Sequence, residues 1–198
     1  MLSQDILKMP IKPGLKCHYG PTNTFLVETA IGLMELVCCP KGVHSLSQLS
    51  TITDANFKPR PGQKVCVKSQ LYQDNGYTYK PAVQCVEWLR DYFSPGRITS
   101  EPPRLCITGA KEGSFTGKVW KTLAEKVTYG QTISYRDLAV LCECPNGSRA
   151  IGQAMRSNPY QLIVPCHRVI QSSGKLGNYS SGQKNTVKEW LLNHEEAI

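Results

Sequence analysis

The sequence predicts an α+β protein in two parts, an N-terminal antiparallel-sheet domain over residues 1–107 and a C-terminal helical domain over residues 108–198. Three observations predict it. Apolar and polar residues alternate between about residues 22 and 50, the period of half-buried strands. From residue 114 onward the apolar spacing becomes helical. Between these regions lies SPGRITSEPPRLCITGAKEG, a stretch dense in Pro and Gly that suits a linker. A chain of 198 residues is long enough for two such parts, each with a core.

The elements follow in order. TFLVETAIGLMELVCCPKGVHSLSQL reads as a hairpin or meander turning near Gly32. Residues 56–80, rich in Lys, Pro, Gly and Tyr and lacking a period, read as a loop or irregular insertion. AVQCVEWLRDYF (82–93) spaces Val83, Val86, Leu89 and Tyr92 as one helical face. SFTGKVWKTLAEKV (114–127) does the same with Val119, Leu123 and Val127, and TYGQT ends it. SYRDLAVL (134–141) opens on Ser134 with Asp137 three residues later, an acidic capping box. CECPNG is a tight turn, SRAIGQAMRS (148–157) a further short helix, and TVKEWLLNHEE (186–196) the last.

Composition narrows the partners. The net charge of +8 favours an acidic one, nucleic acid first. Both halves are +4, with 12 basic and 8 acidic residues before 108 and 11 and 7 after, so attraction must be argued locally. MLSQDILKMPIKPG lacks the basic start and unbroken apolar run of a secretory signal, and FLVETAIGLMELVCC is interrupted by Glu28 and Glu35. A cytosolic or nuclear setting is expected, so the nine cysteines read as free, metal-bound or reactive.

Two segments carry chemistry. The helices at 134–141 and 148–157 form a helix-turn-helix candidate, with Ile151, Ala154 and Met155 on a face that docks on Leu138 and Leu141. Arg149, Gly152, Gln153 and Arg156 share the other face, where a phosphate backbone could approach; a plain solvated face is the alternative. LIVPCHRVI (162–170) sets Cys166 beside His167 and Arg168, a base and a cation able to activate a thiol. In a strand Cys166 and His167 would point apart, so a turn after Pro165 or a bridging water is required.

IVPCHRVI, together with FTGKVW, ISYRDLA, SRAIGQAMRSNP, SSGKLGNYSSG and VKEWLLNHE, resembles the O6-alkylguanine-DNA alkyltransferases from about Phe115 to Glu195. GLMELVCCPKGVHSL is similar to the opening of their vertebrate-like members. The resemblance implies a ribonuclease H-like N-terminal domain and DNA repair by direct reversal. The alkyl group of O6-alkylguanine passes once to Cys166, with O4-alkylthymine a minor substrate. It implies that His167 deprotonates Cys166 through water, that Glu195 orients His167, and that Asn158 bridges the helix-turn-helix to the active-site segment. Arg149 would fill the base stack after the nucleotide swings out, and Tyr135 would turn the target phosphate and touch the base. Ser148, Ala150 and Gly152 are small enough for close approach in the minor groove, and Cys144, Thr116, Arg136 and Ser172 match further DNA contacts. Tyr179, Ser180, Val169 and Met155 would line the guanine pocket. Double-stranded DNA is the implied partner, the nucleus the implied location, a monomer the implied state, and no membrane is involved.

This sequence departs from the family where Gln161 replaces a common Pro, where Ser181 replaces Gly, and where QKNT (183–186) adds about two residues. The resemblance also implies a structural zinc. Cys39 and His44 are separated by PKGV, a spacing that suits chelation over a turn, and Cys17 and Cys106 complete the implied set, with Cys38 and His18 as rivals. The other readings are a binding-only relative, which would lack Cys166, a Cys-His-Glu hydrolase, and a plain helix-turn-helix regulator.

Overall fold

Alternation in the sequence builds the first layer. A computed structural model of the protein describes residues 17–71, 78–96, 98–106 and 113–198. The boundary expected at 107/108 and the segment MLSQDILKMPIKPG lie outside the described residues. Strands β1 (Asn23–Thr29), β2 (Gly32–Cys39), β3 (Gly42–Gln48) and β4 (Cys66–Leu71) form one antiparallel sheet in the order β3-β2-β1-β4. Ala30 and Ile31 make the turn between β1 and β2, and Gly32 follows at φ 100°, a conformation that costs glycine little.

Strand β4 corrects the expectation of a loop over 56–80. It is a short edge strand whose Lys68 pairs with the buried Glu28 of β1 at 2.5 Å, and Arg60 pairs with the same carboxylate at 2.9 Å. A charged, one-sided edge of this kind has little apolar signal to read. Helix α1 (Lys80–Tyr92) starts two residues before the expected helix, with Pro81 in its first turn, where a missing N–H costs nothing. It lies against β2 and β3 through Ala82, Cys85, Val86, Trp88, Leu89 and Tyr92, whereas Val83 faces solvent.

The second part is helical. Ser114 Oγ accepts from Gly117 N and caps α2 (Phe115–Lys126), whose Val119, Trp120 and Leu123 are buried. Ser134 Oγ accepts from Asp137 N at 3.0 Å and donates to the Asp137 carboxylate at 2.6 Å, starting α3 (Tyr135–Leu141). The turn to α4 (Ser148–Arg156) needs Gly147, because a Cβ there would lie 2.6 Å from Cys144 Sγ. Ile151, Ala154 and Met155 are buried as expected of the docking face. On α3, however, Leu138 is buried and Leu141 is 48% exposed. Leu141 is the last helical residue, and the chain reverses through Glu143 at φ 58°, so Ala139 and Cys142 take the inward places. Helix α5 (Asn185–His194) ends two residues before the expected 196, leaving Glu195 as its cap.

One continuous core joins the two parts. Leu46 of β3 bonds through its backbone to Pro159 O and Gln161 N, and Tyr160 OH donates to Cys106 O. Two-residue strands β5 (Ile133–Ser134) and β6 (Val169–Ile170) pair in parallel, which fixes the start of α3 beside the segment that follows Pro165. No helix among the described residues is long and apolar enough to cross a membrane.

Candidate active site

Pro165 directs the chain into a single 3-10 turn over Cys166–Arg168. Cys166 and His167 therefore do not alternate as in a strand. His167 is fully buried, and Cys166 is half-buried on the wall of a 680 Å³ cleft. Asn158, two residues past α4, accepts from Tyr160 N at 2.9 Å through Oδ1. That fixes its amide, so Nδ2 donates to Val164 O at 2.8 Å and to Cys166 Sγ at 3.3 Å.

Behind the thiol lies a buried charge cluster. Glu195 Oε1 takes His167 Nε2 at 2.7 Å, Arg168 Nη2 at 3.0 Å and Tyr92 OH at 2.5 Å, while Oε2 takes Arg168 Nε at 2.7 Å. Arg168 Nη1 also donates to Val127 O at 2.8 Å. Burial alone would raise the Glu195 carboxyl, but His167 and Arg168 hold it well below the usual carboxylate range. Burial pushes His167 down against the attraction of Glu195, so the resting imidazole is neutral. An ionised carboxylate only accepts, so the proton sits on Nε2 and the basic lone pair on Nδ1, which has no hydrogen-bond partner among the described residues.

The thiol starts protonated. Burial pushes Cys166 up, and Asn158, the Tyr179 hydroxyl and the Lys188 ammonium oppose the rise. Lys188 is itself fully buried and pushed down to about 8, with Nζ donating to Val169 O at 2.7 Å and Leu176 O at 2.6 Å. A neutral thiol next to a neutral imidazole whose far nitrogen faces a carboxylate is a nucleophile waiting for proton removal.

The structure brings Tyr135, Ser148, Arg149, Gly152, Met155, Asn158, Cys166, Tyr179 and Ser180 onto the same cleft. Arg149 and Ala150 are exposed in the first turn of α4, opposite Ile151. Arg136 and Ser172 line a neighbouring depression with Ser134 and Gln171. Cys144 sits in the turn before α4 and Thr116 in the first turn of α2, both half-buried. Val169 is buried beneath the cleft, where its carbonyl receives Lys188. Ser180 and Ser181 both have positive φ, 48° and 59°, in the loop over the cleft.

The reading of the sequence did not foresee Tyr92. Apolar spacing counts it as a core aromatic and is blind to its hydroxyl, which reaches Glu195 from the other half of the chain. Arg168 was visible as a cation beside His167, yet nothing local shows that it turns inward to Glu195.

A second cluster joins Cys17, Cys39, His44 and Cys106, whose ligand atoms all lie within 4.8 Å of one another. Gly42 allows it: a Cβ there would lie 2.7 Å from the backbone of 104–106, which pairs with Val43. Cys17 Sγ and Cys106 Sγ are 3.9 Å apart. Tetrahedral zinc with bonds of about 2.3 Å places two sulfurs about 3.8 Å apart, so the donors fit a metal of that size and softness.

Fold and site together define an α+β protein with a base-assisted cysteine set under a helix-turn-helix. Comparison with known proteins gives the particular family. The 6-O-methylguanine DNA methyltransferase DNA-binding domain family matches residues 114–197. The methylated-DNA–protein-cysteine methyltransferase of Mus musculus is 39% identical over 172 residues, covering 86% of this chain and 79% of that protein. Its Rattus norvegicus counterpart is 40% identical, covering 86% and 80%. A crystal structure of Mycobacterium tuberculosis OGT in complex with DNA superposes with a TM-score of 0.63 at 30% identity, covering 86% of this chain and 91% of that one. The chain belongs to the methylated-DNA–protein-cysteine methyltransferase family.

Proposed function

We propose that the protein repairs double-stranded DNA by moving the alkyl group of O6-alkylguanine onto Cys166, once per molecule. The observation that carries this is the half-buried Cys166, lining a cleft with residues of α4, with Asn158 as donor to its sulfur and the His167–Glu195 pair behind it. A water between Sγ and the free Nδ1 of His167 carries the thiol proton to the imidazole. The S–C bond forms as the C–O6 bond breaks, and its electron pair returns to the guanine ring. Guanine gains a proton to balance the one lost by the thiol. O4-alkylthymine offers the same kind of alkyl carbon and is the minor substrate.

The target base must leave the stack to reach a sulfur in a cleft. Arg149 at the exposed start of α4 fills the gap, and Tyr135 at the cleft edge turns the phosphate. A Cβ on Gly152 would meet no protein atom within 4 Å, so packing within this chain does not require glycine there. Approach of a minor-groove backbone does. The substrate puts the protein, acting as a monomer, in the nucleus.

The test is a duplex carrying labelled O6-methylguanine, run on a denaturing gel. One label per protein, lost in Cys166→Ala, is the expected result. Repeated release of label would instead make the protein a hydrolase.

A zinc ion held by Cys17, Cys39, His44 and Cys106 is the matching structural proposal, supported by the 3.9 Å sulfur spacing. It would tie the segment at Cys17 to the hairpin and to residues 104–106, adding stability and no chemistry. Purified protein should contain one zinc, and Cys39→Ala should melt roughly 10 °C lower while still taking up label below its melting point. Metal analysis finding none would remove the ion.

A further inference from the structure

Gln161 lies outside the thiol–imidazole–carboxylate relay, yet its amide is held by two buried contacts. Gln48 N, at the end of β3, donates to Gln161 Oε1 at 2.7 Å. A backbone N–H can only donate, so this contact settles which end of the amide is oxygen. Gln161 Nε2 must then be the donor to Tyr179 OH, 3.0 Å away. With its oxygen accepting from Gln161, the Tyr179 hydroxyl has its own proton left to give. Cys166 and Tyr179 line the same cleft, and the hydroxyl holds the thiol down against burial.

We propose that Gln161 is a positioning residue for alkyl transfer, turning the Tyr179 phenolic proton onto the Cys166 sulfur. The inference rests on the transfer reaction proposed above. Asn158 Nδ2 donates to the sulfur, and Tyr179 OH, its oxygen held by Gln161, is the second donor on this reading; each depends on an amide whose oxygen takes a backbone N–H. Both donors stabilise the thiolate over the thiol, which is the form that attacks. The other groups facing the sulfur are Tyr135 from α3, Lys188 from α5, and His167 in its own turn with Glu195 behind. Among the described residues no hydrogen bond or ion pair joins any of these to the Gln161 side chain, so its effect can be separated from theirs. The anchor at Gln48 belongs to the sheet, and through it the N-terminal part sets the state of the nucleophile.

The experiment follows alkylation of Cys166 by iodoacetamide from neutral to alkaline pH, read by mass spectrometry of the peptide that contains it. DNA is absent, so the result is independent of whether the protein takes label from duplex; a wild type that takes none would overturn the reaction itself, not the titration. Gln161→Met keeps the volume and removes the amide, and should raise the midpoint by about one pH unit, roughly a tenfold loss of rate at neutral pH. Tyr179→Phe should give a similar rise, and the double variant no more than the larger single. Gln161→Glu retains an acceptor for Gln48 N, but its carboxylate draws the phenolic proton away from sulfur, so it too should raise the midpoint. The inference is overturned if folded Gln161→Met and Gln161→Glu keep the wild-type midpoint. It is equally overturned if the two single shifts add in the double variant.

Discussion

Replacing Glu195 by alanine is expected to lower stability by about 3–5 kcal/mol and to abolish measurable alkyl transfer. Among the described residues the carboxylate is the sole acidic partner of the buried Arg168, so removing it strands a guanidinium away from water. The melting point should fall by roughly 10 °C. Glu195→Gln separates the two effects. It preserves shape and some hydrogen bonding but removes the charge that fixes the His167 tautomer and favours the imidazolium, so the transfer rate should drop by about 10²–10⁴ well below the melting point. A Glu195→Gln protein that transfers at the wild-type rate would show that the carboxylate is structural only. The pH dependence has a defined sign. Folding lowers the Glu195 pKa, so its contribution to stability is present above the ordinary carboxylate range and is lost as pH falls below it.

Arg149→Ala should cut transfer from duplex by about a hundredfold or more, since leaving a vacated stack unfilled costs a few kcal/mol. Transfer from the free base O6-benzylguanine needs no such opening, and its rate should change by less than about threefold. Single-turnover rates on the two substrates, measured on one preparation, make the comparison. Equal losses on both would place Arg149 in the chemistry and not in the opening of the duplex.

Much of the helical half was legible because its signals are local. Ser134 with Asp137 announced the start of α3, and Ile151, Ala154 and Met155 announced the buried face of α4. The proton relay was legible as residue types, since a thiol, an imidazole and a distant carboxylate stood in a recognisable run. What stayed hidden depends on long-range contact. Strand β4 has its partners 38 to 47 residues away in β1 and shows charge where an inner strand would show Val or Ile. Leu141 looked inward by spacing alone, because spacing cannot see that Glu143 reverses the chain. Tyr92 and the Gln48–Gln161 bridge were hidden for a similar reason, each crossing more than 100 residues of sequence.

The contact of Tyr92 with Glu195 has a consequence for how such a protein can change over evolutionary time. The hydroxyl comes from helix α1, which carries no reacting group, and Asp54, in the segment between β3 and β4, accepts from Asn185 N and Thr186 N at the start of α5. The reactive half has thus lent its fine adjustment to a neighbour. A change in α1 or in the segment after β3 therefore reaches chemistry performed elsewhere, so a hybrid that takes one half from a relative is expected to need these contacts rebuilt.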